Sequence, residues 1–594
     1  MKRMIATLTA VMLVIAMFLT ACGSGNGDGG NVANDPTPTP AANDQQTQTE
    51  DPADESGLPE GWGSMGLTSG GVPISDPGQF PIVANRGDIT VEIMVTGHPS
   101  IINWQTNAMT QWMEEKTNIV VNWRIIPLEG RADTLNLELA SANYPDAFKS
   151  VGFNQAHVNR FGVGEGRLLS ITDLVPLHAP NLMEIYERFP NYPGIMTMLD
   201  GEMYVMPNIN QCFHCTMFYK MWINREFLEY VDMDVPTTTD ELVEVLKAFR
   251  DQIPDSIPFA GTFTGGWGST LDYFIMNAFT FYDAHTAGNA IPQNNLGLFV
   301  DNGVVKTPWA EPGTIEGLRF LNMLFNEGLL HEGSLTGDGD QLIALVESGA
   351  NPRVGLVTGG HGMIFSDIEG ERYPLYIPVM PLQGPSGLRQ IPRNTNDIGF
   401  NGFIISADTN YAEALVKWAD ALYSFEATMN GYFGPYGSNW RFAEDGEIGL
   451  DGNPAIYALL VPWQEVEPQN DHWVQMTISN RDAAFRAGEA VDPSVDKFSP
   501  EGLEVLLFET TLDMFPFGNA EMVFPPVKFT EEQTNDMSVP LTDVSTIIRQ
   551  WIPGFIGGVF DLDTQYDEFL ELLENAGLSG LIAEYQAAFD LLYR

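Results

Sequence analysis

The chain has 594 residues, with 28 basic and 78 acidic side chains and a formal net charge of −50. This charge argues against nucleic acid and anionic lipid surfaces as partners, because both are bound through basic patches. It also disfavours polyanionic glycans at long range, although a local arginine pocket can override that repulsion.

The first residues predict export and lipidation. Lys2 and Arg3 precede an almost unbroken apolar run over 4–18, and Leu-Thr-Ala-Cys follows at 19–22. A charged start, an apolar core and small residues at the cut site are typical of a secretory signal. A cysteine directly after Leu-x-Ala resembles a bacterial lipobox. We therefore predict a signal peptide over 1–21 and lipid on Cys22; an uncleaved membrane helix is the alternative.

The next segment has the composition of a linker. Gly, Asn, Asp, Pro, Thr and Gln dominate after Cys22, with Pro-Thr-Pro-Thr-Pro at 36–40. Such a segment buries too little apolar surface to fold. We assign 22–86 to the lipidated cysteine and a disordered linker. A random coil of ~50 residues reaches on the order of 40 Å.

The remaining ~500 residues are too many for one core, so two or more lobes are expected. Alternating apolar residues predict a strand over 88–95, and apolar spacing at i, i+4 and i+8 predicts a helix over 104–116. A strand over 119–126, a helix over 133–141 and a short buried strand after Tyr144 follow. This alternation predicts an α/β lobe with a mostly parallel sheet.

A second lobe is predicted from about Phe218. Residues 218–223 form a β-branched and aromatic strand, and Thr238 with Glu241 has the spacing of a capping box that begins a helix. A further helix is expected over 314–327, before Gly328.

The later chain continues the alternation. A strand is predicted over 401–406 and a helix over 411–422. Two helices separated by Gly577 are predicted in 565–594. The sequence contains no internal repeat of solenoid period.

Two cysteines besides Cys22 leave three interpretations open. Cys212 and Cys215 flank Phe-His. In an extended segment their Cα atoms lie ~10 Å apart, too far for a disulfide, whereas a turn permits one. Free thiols, a local disulfide, and a metal or redox site all remain, although structural zinc needs two more ligands and a redox motif needs a thioredoxin-like context.

Catalytic signatures give no positive support for an enzyme. The sequence has no Gly-x-Ser-x-Gly elbow, no His-x-x-x-His pair and no Walker lysine, and 162–166 lacks dinucleotide spacing. Asp338-Gly-Asp340 could hold calcium, but a solvated turn is the commoner role of such a sequence. A paired-carboxylate glycosidase stays open, because the acidic residues offer many pairs.

Aromatic residues in glycine-rich loops give the best positive signal. Trp267 lies in Gly-Gly-Trp-Gly-Ser, Tyr436 lies in Gly-Pro-Tyr-Gly-Ser, and Trp440 follows. Glycine lets the backbone approach a ligand, and flat aromatic faces suit the apolar faces of sugar rings. The alternative is that these rings pack in the core.

Several distributed segments resemble one family. In order along the chain they are 139–148 (LASANYPDAF), 222–228 (WINREFL), 235–249 (VPTTTDELVEVLKAF), 401–407 (NGFIISA) with 413–420, and 577–589. Together they resemble extracellular solute-binding protein family 1, the LplA-like lipoproteins of Firmicutes. The resemblance implies an α/β, two-lobe periplasmic-binding-protein-like fold (class II type), with an interlobe cleft and hinge. Lobe 1 would be 87–207 with about 398–490, and lobe 2 about 208–397 with 491–594.

The resemblance implies a binding protein with no catalytic residue and no metal ligand. Its partners would be a carbohydrate, most simply an oligosaccharide, and the permease subunits of an ABC importer, with the protein a monomer at the outer face of the cell membrane. Relatives carry an acidic Asn-Gly loop for calcium, which 250–255 lacks, so we expect no structural calcium. The family pattern and the aromatic loops together predict these ligand-binding residues: Phe153, Asn154, His214, Tyr219, Trp267, His361, Tyr436 and Trp440.

Two other classes of function remain as alternatives. One is a glycan-processing enzyme at the cell surface, and the other is a lipoprotein that binds peptides or is purely adhesive.

Overall fold

The computed structural model describes residues 62–141, 143–283, 296–394, 398–461 and 468–594. The predicted signal peptide, Cys22 and the linker up to residue 61 lie outside these ranges. Within them, every helix is too short or too polar to cross a membrane.

Short strands and helices alternate along the described chain. The strands are β1 (Trp62–Leu67), β2 (Pro73–Ser75), β3 (Thr90–Thr96), β4 (Val120–Ile126), β5 (Ala147–Lys149), β6 (Val205–Asn210), β7 (Met221–Asn224), β8 (Ile257–Ala260), β9 (Phe299–Asp301), β10 (Val304–Lys306), β11 (Val354–Thr358), β12 (Tyr376–Val379), β13 (Ile391–Pro392), β14 (Ile398–Ile405), β15 (Trp440–Phe442), β16 (Ile448–Gly449), β17 (Tyr457–Leu459), β18 (Asn480–Arg481), β19 (Ala490–Val491) and β20 (Gly518–Asn519). The α-helices are α1 (Ala108–Thr117), α2 (Arg131–Ser141), α3 (Gln155–His157), α4 (Val175–His178), α5 (Pro180–Arg188), α6 (Tyr192–Met196), α7 (Arg225–Val231), α8 (Thr239–Gln252), α9 (Tyr273–Met276), α10 (Pro312–Asn326), α11 (Gly339–Val346), α12 (Ala412–Ala421), α13 (Phe425–Phe433), α14 (Ala483–Ala487), α15 (Leu503–Met514), α16 (Glu531–Ile556), α17 (Leu562–Asn575) and α18 (Leu578–Tyr593).

Lobe 1 is built on a six-stranded sheet with the order β18-β6-β14-β5-β3-β4. All of its strands run parallel except β14, which is antiparallel to β6 and β5. The predicted α/β lobe with a mostly parallel sheet is therefore confirmed. The parallel strands place their carboxyl ends at one edge of the sheet, where ligands bind in open α/β folds.

Lobe 2 is built on a four-stranded sheet with the order β12-β7-β11-β8. Strands β8 and β11 are parallel, and β7 runs antiparallel to both β11 and β12. Its main core joins residues of 217–391 to residues of 514–589. The C-terminal helices α16, α17 and α18 therefore complete this lobe. As predicted, α17 and α18 are separated by Gly577, whose φ of 100° suits glycine.

The predicted helix after Pro236 is α8, and its apolar face is buried as the spacing indicated. Its cap differs in one detail. The hydroxyl of Thr238 accepts a hydrogen bond from the Glu241 amide at 3.1 Å, but the Glu241 carboxylate accepts from the Thr237 amide and hydroxyl, each at 2.8 Å. In a standard capping box the Glu241 carboxylate would accept from the amide of the N-cap residue Thr238. Here it accepts from the amide of the preceding residue, Thr237.

The prediction of a linker up to residue 86 is wrong for 62–86, which is part of the folded body. Strands β1 and β2 pair there, and Ile74, Ile82 and Val83 are fully buried in the core of lobe 1. The Lys417 ammonium also donates to the Ser75 carbonyl at 2.6 Å. These apolar residues are too sparse to show a period, so only their tertiary burial reveals the order.

The chain crosses between the lobes at three places. It leaves lobe 1 between β6 and β7, returns before β14, and crosses again between β19 and α15. Helix α15 packs in lobe 2, where Leu503 and Leu507 share a core cluster with Trp222. Residues next to these crossings can therefore face both lobes.

Candidate functional site

Three segments of lobe 2 meet at one edge of its sheet. Strands β8 and β11 are parallel, so 261–272 and 359–365 follow their carboxyl ends at the same edge. Strand β7 is antiparallel to β11, and so 213–220, which precede β7, reach that edge too. This convergence brings residues from distant parts of the sequence around one loop.

Trp267 lies at the centre of the group. Its indole stacks on Phe218 with ring centroids 5.6 Å apart and planes at 22°. His361 lies 5.5 Å and His214 6.2 Å from the indole centroid. The Gly360 amide donates to the Trp267 carbonyl at 2.9 Å, and a Cβ at Gly360 would lie 2.1 Å from Cε3 of the indole. Glycine is required at that position for the ring to pack this closely.

A buried lysine supports the turn beside this indole. Lys220 donates from Nζ to the His214 carbonyl at 3.0 Å and to the Met217 carbonyl at 2.7 Å. The same ammonium lies 5.9 Å from the Trp267 ring centroid. Burial lowers the pKa of Lys220 to about 7. Its two carbonyl partners fix the 3₁₀ turn Phe213–Met217, which carries His214.

Both histidines of the group are neutral imidazoles at neutral pH. Burial lowers the pKa of His214 well below its usual value, and nearby Arg486 lowers it further. Burial also lowers the pKa of His361 to about 4. Nδ1 of His361 is buried and has no hydrogen-bond partner among the described residues. A buried polar atom of this kind suggests a partner that arrives with a ligand.

Charged residues at the third crossing join the same group. Arg486 in α14 lies 3.3 Å from the Glu504 carboxylate in α15, and Nδ1 of His214 lies 3.5 Å from the same carboxylate. Helix α14 follows β18 of lobe 1, whereas α15 packs in lobe 2. The pair therefore connects elements of the two lobes directly beside the aromatic group.

Of the three interpretations of Cys212 and Cys215, the structure has the local disulfide, with Cα atoms 5.1 Å apart. The Cys215 amide donates to the Cys212 carbonyl at 3.1 Å, so a turn brings the two residues together. Both sulfur atoms are within 4.8 Å of one ring nitrogen of His214, a metal-like spacing. Because both sulfurs are taken up in the disulfide, they are not thiolate ligands.

A cavity of about 400 Å³ adjoins the glycine-rich loop. Tyr219, Asp272, Tyr273 and Arg549 are among the residues that line it. Asp272 is buried and accepts from the Tyr282 hydroxyl at 2.8 Å through Oδ2, while its Oδ1 has no partner in the described part of the chain. Burial raises the pKa of Asp272 to about 7. This carboxyl can therefore both donate and accept hydrogen bonds below neutral pH.

Lobe 1 presents unpaired polar atoms at the carboxyl ends of β6 and β18. Within the described ranges, Oδ1 of Asn210, Oδ1 of Asn480 and Nε of Arg481 are buried without a partner. The Arg481 guanidinium lies 4.1 Å from the ring centroid of Tyr432. The chain after β6 leads directly into the turn that carries His214.

We call Phe218, Trp267, His214 and His361, with the adjoining cavity, the Trp267 site.

The structure brings four of the eight predicted ligand-binding residues together: His214, Tyr219, Trp267 and His361. Tyr219 reaches the group through Phe218, with ring centroids 4.1 Å apart, and donates its hydroxyl to Asp283 at 3.0 Å. Three residues that the sequence analysis did not single out join them: Asp272, Arg486 and Arg549. No local motif marks these three, because acidic and basic residues are spread along the whole chain.

The other four predicted residues lie in lobe 1 and form two separate groups. Phe153 is buried against Phe148 with centroids 5.2 Å apart, and Asn154 caps α3 by accepting from the His157 amide at 3.1 Å. Tyr436 is 56% exposed, whereas Trp440 is only 1% exposed and donates from Nε1 to Asn430 at 3.1 Å. The Phe153 and Trp440 rings therefore pack in the hydrophobic core of the protein.

The acidic turn at Asp338 is a helix cap. Its carboxylate accepts from the Gln341 amide at 2.9 Å, and the Gln341 side chain accepts from the Asp338 amide. Asp338 and Gln341 therefore form a capping box at the start of α11, and this gives the Asp338 carboxylate a structural role.

A family model for bacterial extracellular solute-binding proteins matches residues 98–429. The chain belongs to this family. Its members are binding proteins of importers and not enzymes, and the two-lobe architecture agrees with that membership.

Among curated proteins, the chain is 25% identical over 539 residues to the fructooligosaccharide ABC transporter substrate-binding protein FusA of Streptococcus pneumoniae serotype 4, covering 86% of this chain and 91% of that protein. It is 22% identical over 359 residues to Lipoprotein LipO of Bacillus subtilis, covering 56% and 64%.

Solved structures of solute-binding proteins share the fold. S. pneumoniae FusA in complex with kestose superposes with a TM-score of 0.68 at 22% identity, covering 84% of this chain and 99% of that one. An HMO-binding, ABC-transporter-associated solute-binding protein of Bifidobacterium longum infantis gives 0.70 at 18% identity, covering 85% and 99%. The predicted two-lobe periplasmic-binding-protein-like fold is thereby confirmed.

Proposed function

We propose that this protein captures an oligosaccharide between its lobes and delivers it to the permeases of an ABC importer. The single observation that carries the proposal is the Trp267 site, where an indole, two neutral imidazoles and an unpaired Nδ1 of His361 converge beside the crossings. Aromatic faces suit the apolar faces of sugar rings, and neutral hydrogen-bonding groups suit their hydroxyls.

The charge of the chain narrows the class of sugar. A net charge of −50 disfavours acidic glycans. Of the arginines described at the site, Arg486 is paired with Glu504, and Arg549 lines the cavity. One of the similar proteins supports an uncharged oligosaccharide, since FusA is described as fructooligosaccharide-binding and was solved with kestose. We therefore expect a neutral oligosaccharide.

Closure of the lobes would couple capture to delivery. Arg486 and Glu504 belong to elements on opposite sides of the third crossing, so a rotation of the lobes changes their separation. Hinge closure that brings contacts from both lobes onto a ligand is a common mode of domain motion.

A binding assay with the soluble domain tests the proposal. Titration of residues 62–594 with neutral linear oligosaccharides should change its tryptophan fluorescence and give saturable heat in calorimetry. The same incubations are assayed for new reducing ends. Saturable binding without new reducing ends supports the proposal, whereas turnover would establish the glycan-processing alternative. Absence of binding to every neutral series would refute a neutral oligosaccharide as the ligand.

We further propose that lipid on Cys22 holds the protein at the outer face of the cell membrane. Support comes from the lipobox-like sequence before Cys22 and from LipO, which is described as a lipoprotein. The Cys22→Ala variant should appear in the culture medium or as an unprocessed precursor, while the wild-type protein stays in the membrane fraction. Equal membrane retention of the processed variant would contradict lipid anchoring. A tether raises the local concentration near a permease.

The lobe boundaries at 87–207 with 398–490, and 208–397 with 491–594, remain proposals, as does the monomeric state. Hydrogen exchange with and without a bound oligosaccharide should show protection at the crossings that separate these ranges. Light scattering of the purified domain should give the mass of one chain.

A further inference from the structure

The Cys212–Cys215 disulfide lies at the first crossing between the lobes. Strand β6 of lobe 1 ends at Asn210, and the two cysteines follow before β7 of lobe 2 begins at Met221. Cys212 directly precedes the turn Phe213–Met217, and Cys215 lies within it. The bond therefore closes the short segment in which the chain passes from one lobe to the other.

The chain is fixed on both sides of this segment. Gln211, just before the first cysteine, donates from its amide to the Arg481 carbonyl of lobe 1 at 2.9 Å. Just after the second cysteine, the Thr216 carbonyl accepts from the Asn394 amide at the second crossing, at 2.7 Å. Residues 212–215 lie between these two anchors, so the disulfide sets how far the connection can flex.

The two sulfur atoms have different surroundings. Cys212 is 4% exposed, and its Sγ accepts a hydrogen bond from the Arg486 guanidinium at 3.6 Å. Cys215 is partly exposed. A positive charge beside a sulfur stabilises the thiolate, and a stabilised thiolate leaves faster in disulfide exchange. An incoming thiolate therefore attacks Cys215 and expels Cys212 as the leaving group.

The turn that the disulfide closes also carries part of the Trp267 site. His214 lies 6.2 Å from the Trp267 indole centroid, and its Nδ1 lies 3.5 Å from the Glu504 carboxylate. Arg486 pairs with the same carboxylate at 3.3 Å while it bonds to Cys212. A change at Cys212 therefore alters the surroundings of the histidine and of the interlobe ion pair.

We infer that the Cys212–Cys215 bond is a site of thiol–disulfide exchange whose co-substrate is a dithiol, and that its reduction weakens ligand binding at the Trp267 site. The inference rests on the proposed function and adds a redox control to it. Reduction lets residues 212–215 sample more conformations, and closure of the lobes must then order them again. The oxidised protein is thus the preorganised form, with the higher affinity.

The exchange is a two-electron reaction in two steps. One thiolate of the dithiol attacks Sγ of Cys215, the disulfide breaks with its electron pair on Sγ of Cys212, and a mixed disulfide forms. The second thiolate of the dithiol then attacks the dithiol's own sulfur in that mixed disulfide and expels Cys215. The dithiol is oxidised to a disulfide, both cysteines are reduced, and the two protons of the dithiol pass to the two cysteine sulfurs.

A monothiol shows which sulfur is attacked. The purified full chain is treated briefly with glutathione and then alkylated, and fragment mass spectrometry locates the glutathione. We expect it on Cys215, with Cys212 alkylated, because Cys212 is buried and is the stabilised leaving group. Glutathione found mainly on Cys212 would overturn the assigned order of attack.

A matched pair of arginine variants tests the role of the charge. Arg486→Gln should slow reduction by dithiothreitol severalfold, because it removes the cation beside the leaving sulfur. Arg441→Gln is the control, since Arg441 is paired with Glu447 at 2.6 Å, and it should be reduced at the wild-type rate. An Arg486→Gln variant that is reduced as fast as the wild type would contradict stabilisation of the Cys212 thiolate.

Calorimetry with neutral oligosaccharides measures the effect on binding. Reduction of the wild type by dithiothreitol should raise Kd about tenfold, or ~1.4 kcal/mol, comparable with the cost of ordering one residue. The variant with both Cys212→Ser and Cys215→Ser should have the raised Kd with or without dithiothreitol. The same Kd for oxidised and reduced wild type would overturn the redox control.

Hydrogen exchange of the same samples without sugar separates this inference from the proposed function. Reduction should speed exchange over 212–217 and leave the core helix α8 unchanged. Unchanged exchange over 212–217 would overturn the inference. Faster exchange there, with an oxidised wild type that binds no oligosaccharide, would instead refute the proposed function and the effect on affinity, while supporting the exchange site.

Discussion

Replacing Trp267 by alanine should weaken oligosaccharide binding by roughly 30- to 160-fold. Phe218 stacks on the indole with planes at 22°, so at most one face is left for a sugar. Half of the ~150–250 Å² that an aromatic side chain buries is roughly 75–125 Å². At ~25 cal/mol per Å² this gives about 2–3 kcal/mol, which corresponds to that loss in Kd. The contact with Phe218 is lost in the free and bound protein alike and largely cancels from the affinity.

Calorimetry with an oligosaccharide that the wild type binds measures the effect. Trp267→Phe keeps a smaller aromatic ring, so it should lose only about half of the binding free energy that the Trp267 indole contributes. Trp440→Phe is the control, because Trp440 is buried and bonded to Asn430, so its replacement should lower the melting temperature and leave Kd unchanged. A Trp267→Ala variant that is folded and binds within threefold of the wild type would show that the indole does not contact the sugar.

Three further changes probe the same region. Gly360→Ala adds a methyl 2.1 Å from the indole carbon Cε3 and should displace the ring, weakening binding at least tenfold, whereas Gly580→Ala, whose Cβ meets nothing within 4 Å, should leave Kd unchanged. Burial raises the pKa of Asp272 from 3.8 to about 7, so folding takes up a proton and stability falls as pH rises through that window. Asp272→Asn should therefore flatten the fall in melting temperature over this range, and an unchanged pH profile would contradict the shift. The Cys212–Cys215 bond spans a sequence separation of 3, and closing so short a loop contributes about 2 kcal/mol. The double serine variant should thus melt only ~2 °C lower, and a fall beyond ~10 °C would show that the disulfide does more than close this turn.

Local patterns predicted those helices and strands whose apolar residues follow a clear period, and these are a minority of the elements of the fold. The alternating strand at 88–95 was recognisable because Val91, Ile93 and Val95 alternate with less apolar residues and are buried. The apolar spacing of α8 was recognisable because one face of that helix is buried. The helix predicted from Trp104 begins instead at Ala108, since Asn107 caps it by accepting from the Met109 amide at 3.0 Å. That difference leaves Trp104 in a loop, where it lines a cavity of lobe 1.

The candidate site was only partly predictable. Trp267 was identified from its glycine neighbours, which permit the close packing that Gly360 shows. Glycines also surround Tyr436 and precede Trp440, yet the latter ring is packed in the core. A glycine context therefore marks a bend of the backbone and does not by itself mark a ligand contact.

Some residues of the site come together only in the folded protein, and no local sequence pattern marks them. Arg486 and Glu504 meet only because α14 belongs to one lobe and α15 to the other. Asp272 is one of 78 acidic residues and is distinguished by its burial, which no short pattern encodes. Tertiary structure was needed to find these three.

The N-terminal hairpin has a mechanical consequence. Residues 62–76 are secured to lobe 1, where the Gly70 amide donates to the Asn410 carbonyl at 2.7 Å and the Lys417 ammonium donates to the Ser75 and Asp76 carbonyls at 2.6 Å. Any pull on the chain before residue 62 is thus borne by lobe 1 and does not pass through the crossings. With the proposed lipid anchor on Cys22, lobe 2 would move without working against that anchor, so the work of opening and closing would not depend on the force on the N-terminal segment.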